Sequence, residues 1–267
     1  MCDTKKPLKK IQYFAKLFNN IRSKDNSKRE EVEYGLLEKI NELESDELEF
    51  FSKYYEKPSD KIRIEKFKQG TLTKKDRGSV TILRYNLLQY LLKNERLTSD
   101  IIELEKQKIK EMVDYDPFRS WKNDRILYLF CYYPYNGEIL ECLKKITEDI
   151  RKELNIIDKT KTKIVTFNGA RNQGYDHCWI AIYDKKYESQ QDAKQIFLSF
   201  WSKKITLCIW DENIWIKSNR AKMKIPISES AFTQFTHKHV SYADFNLGIA
   251  IDFFKKIDLE KELFWKK

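Results

Sequence analysis

The residue types best suited to chemistry gather in one polar, glycine-bearing stretch: Asn168-Gly169-Ala170-Arg171-Asn172-Gln173-Gly174-Tyr175-Asp176-His177. Asn, Gln and Arg carry paired donors and acceptors that match the edges of nucleic-acid bases. Two glycines let the backbone approach a ligand closely. Tyr175, His177 and, just beyond, Trp179 and Tyr183 present flat faces on which a base can stack. A hairpin loop beside a buried tryptophan would contain the same residues, so both readings stand at this level.

Catalytic patterns are absent by comparison. No phosphate-cradling Gly-x-x-x-x-Gly-Lys-Ser/Thr and no Gly-x-Gly-x-x-Gly occurs, so neither nucleotide hydrolysis nor dinucleotide binding has sequence support. His237 and His239 can chelate zinc only if a third ligand such as His177 or Cys178 joins them, and they sit in a polar stretch where exposed histidines are ordinary. His177 and Cys178 are neighbours on a strand, so they point to opposite faces and cannot act as base and nucleophile. A core thiol beside a surface imidazole is expected. A metal-dependent nuclease needs a carboxylate and an Asp/Glu-x-Lys on a strand. At Ile214-Trp215-Ile216-Lys217 tryptophan stands in the acidic position, and Glu103, Glu105 and Lys106 fall on a predicted helix, where such charges usually form a solvated face. Neither a metal nor a cofactor is expected.

Charge supplies the next clue. The 267 residues hold 51 Lys+Arg against 41 Asp+Glu, a net +10 that makes polyanions plausible partners. Between residues 160 and 226 there are 12 basic and 6 acidic residues, more than half of the excess. Lys185, Lys186, Lys203, Lys204, Arg220 and Lys222 lie in turns or near strand ends, where they can meet phosphates. Five scattered cysteines without a Cys-x-x-Cys pair argue against a disulfide framework and for a reducing cytoplasm. The N-terminus lacks an apolar signal segment, and no run approaches the ~18 apolar residues of a membrane span. A soluble, cytoplasmic protein with no membrane partner is expected.

These side chains need elements to position them. Leu8, Ile11, Phe14, Leu17, Phe18 and Ile21 recur at helical spacing. Ser27-Lys28-Arg29-Glu30 reads as a capping box ahead of Val32, Leu36, Leu37, Ile40 and Leu43. Further helices are predicted over 82–92, from a Thr98 cap through Met112, and over 136–154. After about residue 160 the period becomes two: 163–167, 178–183, 195–201 and 205–210 read as strands, with Trp179, Ala181 and Tyr183 sharing one face. Residues 242–264 return to helical spacing through Phe245, Ile249, Phe253 and Ile257, and are expected to pack back on the sheet. The fold class is therefore α+β, with a mainly helical region of unknown role (1–158) followed by a mixed, mainly antiparallel sheet domain (159–267).

The strings Ile164-Val165-Thr166-Phe167-Asn168-Gly169, Asn172-Gln173-Gly174, Trp179-Ile180-Ala181-Ile182-Tyr183-Asp184, 195–200 and 205–209 resemble the N-terminal DNA-binding domain of McrB-type, modification-dependent restriction systems. Cys178 stands where that family has proline, and Ala170-Arg171 lengthen the loop. The resemblance implies binding of DNA with a modified base, commonly methylcytosine, which some members swing out of the duplex. On this reading Asn168, Arg171, Asn172, Gln173, Tyr175, His177, Trp179 and Tyr183 read the base. Trp179, Tyr183, Trp210 and Trp215 are available as pocket walls, although at least two of these tryptophans are expected in the core. Two alternatives remain open: a restriction-type endonuclease with a non-contiguous metal site, drawing on Asp176, Asp184, Asp211 and Glu212, and a non-catalytic adaptor whose helical region docks a partner protein.

Overall fold

Alternation of apolar residues at period two drives the second part of the chain into strands. In the computed structural model, which describes residues 5–21, 25–76, 78–118, 130–132, 135–168, 175–211 and 237–264, these strands form one antiparallel sheet in the order β1-β2-β3-β4-β5. They are β1 (Thr160–Val165), β2 (Cys178–Asp184), β3 (Lys194–Phe200), β4 (Ile205–Asp211) and β5 (His237–Val240). Every pair of sequence neighbours is a pair in space, so the sheet is a meander and no parallel pair occurs among the described strands. β5 was not expected. It carries one apolar residue, Val240, and is held by backbone pairing with Ile205–Cys208 at the sheet edge rather than by an apolar pattern.

The register sorts the side chains into two faces. One carries Cys178, Ile180, Ile182, Ile196, Leu198, Phe200, Ile205 and Leu207, each with no measurable exposure. The helices pack on this side. α7 (Asn136–Glu153) brings Ile139, Leu143, Ile146 and Ile150 to it, and Phe200 meets Phe245 edge-on at 6.2 Å. α8 (Leu247–Lys255) packs on α7, while α9 (Leu259–Leu263) reaches β3, where Glu262 pairs with Lys194 at 3.0 Å. The tail does pack back on the sheet unit, but its buried stripe is Phe245, Ala250, Ile251 and Phe254 rather than the series through Phe253 and Ile257.

α1 (Lys5–Ile21) belongs to the same compact unit, which comprises residues 1–19 and 135–267; residues 20–134 form the other. Phe18 of α1 stacks on Phe167 at 5.5 Å and Phe14 lies 6.4 Å from the same ring. The change of period near residue 159 thus marks a switch from helix to strand inside one unit. The unit boundaries fall elsewhere because the apolar faces of α1 and α7 are buried with the sheet.

The second unit is helical: α2 (Asn26–Asn41), α3 (Ser45–Ser52), a 3-10 turn (Lys53–Glu56), α4 (Pro58–Lys68), α5 (Ser79–Leu92) and α6 (Ser99–Val113). α2 begins slightly ahead of the expected capping box. Asp25 is its N-cap and accepts from the Ser27 backbone N–H at 3.1 Å, while the reciprocal box occurs at Glu44 and Glu47 of α3. Most charges of α6, Glu103, Lys108 and Lys110 among them, are exposed, but two are not. Glu105 is buried and accepts from Asn86 Nδ2 (2.8 Å), Tyr90 Oη (3.0 Å) and Lys108 Nζ (2.7 Å), and Lys106 is buried beside Glu103. Three donors satisfy the carboxylate where it leaves water.

Candidate nucleic-acid interface

The other face of the sheet is aromatic and polar. Pairing sets Tyr183, Gln195 and Trp210 on one rung, Ala181, Phe197, Cys208 and His237 on the next, and Trp179, Ser199, Thr206 and His239 on the third. A diagonal of rings crosses it, with Trp179 to Phe197 at 5.4 Å and Phe197 to Trp210 at 5.8 Å.

One end of this face gathers several of the expected site residues. Phe167, clamped against α1, accepts a hydrogen bond from the Tyr175 backbone N–H at 2.8 Å, which closes the base of the polar loop. Tyr175 and His177 stack at 5.9 Å, and His177 lies flat on Trp201 with centroids 3.9 Å apart and planes 18° from parallel. His177 Nδ1 is 2.7 Å from Asp176 Oδ1, which fixes the imidazole plane. The expected surface imidazole is therefore a half-buried one, because the tryptophan ring covers it. Trp201 also opens the β3–β4 hairpin: its N–H donates to the Lys204 carbonyl at 2.9 Å, leaving Ser202 and exposed Lys203 at the tip. His239 is held on both sides, with Nε2 3.3 Å from Lys204 Nζ and Nδ1 3.1 Å from Thr206 Oγ1.

Asn168, Tyr175, His177, Trp179, Lys203 and Lys204 thus share one end. Tyr183, Lys185 and Lys186 lie at the opposite end of β2, about 13 Å from Trp179 at the usual rise per residue of a strand. Tyr183 is buried, and Lys186 pairs with Asp184 at 3.1 Å. Trp179 and Tyr183, read as alternative partners of the loop, share a face but have three strand residues between them, and only Trp179 lies at the loop end. Arg171, Asn172, Gln173, Arg220 and Lys222, with Trp215 and Glu212, lie outside the described residues.

Gln195 and Ser199 were missed, since isolated polar residues in a strand carry no sequence signal. Both are buried, and the Gln195 side-chain oxygen and nitrogen, Ser199 Oγ and Asn168 Oδ1 have no hydrogen-bond partner among the described residues. Leaving such groups unpaired costs stability, and all lie on the aromatic face or at its end.

Burial pushes the Cys178 and Cys208 thiols far above their usual range, so neither supplies a thiolate. Both nitrogens of His239 are engaged, and among the described residues no group of three His, Cys, Asp or Glu side chains could hold a metal. Asp184 and Asp211 lie at the same end of the sheet, on the strands either side of Lys194, whereas Asp176 lies at the other end of β2 and does not join them. No helix among the described residues is long and apolar enough to cross a membrane. Compared with protein-family models, curated proteins and solved structures, the chain matches none.

Proposed function

We propose that the sheet unit binds DNA at the end where Tyr175, His177 and Trp201 meet the Lys203 turn, and that it discriminates a modified base or a particular sequence there, in a restriction or defence setting. The observation that carries this reading is the stacked His177–Trp201 pair beside two lysines. Lys203 and Lys204 suit phosphates, which give affinity and register but no sequence choice. The aromatic rings suit a base that has left the duplex: extrusion costs a few kcal/mol of pairing and stacking, and stacking on protein rings offsets it. The loop of residues 168–177, whose base is fixed by Phe167 and Tyr175, supplies the edge-reading groups.

The test is an affinity comparison of methylated and unmethylated duplexes, with and without magnesium. Replacing Arg171, Asn172 and Gln173 by alanine should reduce discrimination by about 1–3 kcal/mol for each base-edge pair removed. Equal binding of all duplexes by parent and variant would sink the assignment. Magnesium-dependent cutting that survives further purification would instead favour the endonuclease, with Asp184 and Asp211 as the first carboxylates to replace.

A further inference from the structure

We infer that the helical unit carries a second nucleic-acid surface of its own, a lysine–tyrosine patch on the 3-10 turn, α4 and α5 that grips the phosphate backbone. Residues 53–77 contain nine Lys/Arg and four Asp/Glu. This excess of five and the excess of six in residues 160–226 together slightly exceed the net +10 of the chain, so the remainder is close to neutral, with one such segment in each compact unit.

The arrangement within the patch is specific. Two of the acids are neutralised locally, Asp60 by Arg63 at 3.0 Å and Asp76 by Lys66 at 2.6 Å. Lys57, Lys61, Lys68 and Lys75 stay exposed, while Lys53 pairs with Glu49 at 3.8 Å and Lys74 with Asp114 at 3.6 Å; within 53–76 the exposed acids are Glu56 and Glu65. Lys61 and Lys68 are seven residues apart, two turns of helix, and so lie on the same flank of α4. Lys68 Nζ sits 5.6 Å above the Tyr85 ring, which meets Tyr55 edge-on at 5.5 Å, and Lys57 Nζ sits 5.8 Å above Tyr54. An ammonium resting on a ring has given up part of its rotamer freedom before any anion arrives, so less is lost on binding. Lys57 is also the N-cap of α4, with no side-chain cap bond. A cation there opposes the helix dipole, and Ser, Thr, Asp or Asn would serve the helix better. The position suits an incoming anion instead. From Lys57 to Lys68 the helix spans roughly 16 Å, several phosphates at 3.4 Å of duplex axis per strand. The choice of nucleic acid over other polyanions rests on the DNA reading of the sheet unit, because one chain with a basic, aromatic surface on each unit suits one long polyanion.

The experiment measures binding of the full chain to a fluorescent duplex over a range of salt. The Lys57→Gln/Lys61→Gln/Lys68→Gln variant should lower the slope of log affinity against log salt by about 2.7, or 0.9 for each phosphate no longer neutralised. The corresponding triple Arg variant should keep the parental slope, and unchanged thermal unfolding of both would show that the fold is intact. Discrimination between duplexes should not move, since phosphates are alike everywhere. A parental slope in the Gln variant overturns the proposal. So does loss of binding to phosphatidylserine vesicles with DNA binding unaltered, which would assign the patch to a lipid surface. A Lys203→Gln/Lys204→Gln variant run in parallel separates the two sites. If it binds as the parent does while the helical variant weakens, the sheet reading fails and the patch stands.

Discussion

Ser199 offers the sharpest residue-scale test, because its hydroxyl is buried without a partner among the described residues. Ser199→Ala removes a desolvated polar group and loses no hydrogen bond, so chemical denaturation should show equal stability or a gain of up to about 1 kcal/mol. A clear loss would mean that the hydroxyl is satisfied in the folded protein. The tryptophans should separate in the same assay. Trp210 is buried against Phe197, so Trp210→Ala should cost about 3–5 kcal/mol. Trp201→Ala should cost less, because Trp201 is only partly buried, and should show its effect in DNA affinity through loss of the face under His177. The shared face of Trp179, Ala181 and Tyr183 was legible in the sequence, since alternation alone dictates it. The His177–Trp201 stack was not, because the two residues lie on different connections and meet only through strand register.

Individual elements depend on polar clusters that periodicity does not reveal. Glu105 on α6 ties that helix to Asn86 and Tyr90 of α5. Glu105→Ala should therefore cost about 1–3 kcal/mol, because it removes the shared acceptor of two partly buried donors while Lys108 returns to water. The α4–α5 connection is pinned by Asp76, whose carboxyl is held at about 2 against an ordinary 3.8, chiefly by Lys66 and then by the Thr73 hydroxyl and backbone N–H. A carboxyl depressed in the folded state stabilises fully above its ordinary value, and that contribution disappears as pH falls through about 2. Thermal unfolding followed from pH 5 to pH 2 should accordingly fall less steeply in Asp76→Asn than in the parent. Most helices were legible from apolar spacing, α6 and α7 nearly to the residue, but α3 and α4 were not, being short and each burying one apolar residue. β5 was not, because His237, Lys238 and His239 bring no apolar pattern and the strand exists only as an edge partner of β4.

For the whole molecule, the α+β class was legible because the hydrophobic period changes once along the chain. The grouping into units was not: an amphipathic helix declares that it has a partner face without declaring whose. α1 comes first in the chain yet buries Phe14 and Phe18 with Phe167 of the sheet unit. Deleting residues 1–21 should therefore lower the cooperative unfolding temperature of the sheet unit, as measured by the near-ultraviolet signal of its tryptophans. The chain leaves this unit after α1 and re-enters it at Tyr135, whose ring lies 5.8 Å from that of Phe14. In chain order the sheet unit is therefore a host and the helical unit an insertion, or guest, between its two segments. A protease nicking a connection inside the guest would leave the host in two covalently separate segments, still clasped by the Phe14–Phe18–Phe167 cluster. Replacing the guest by a short linker would leave that clasp, and the sheet it supports, in place.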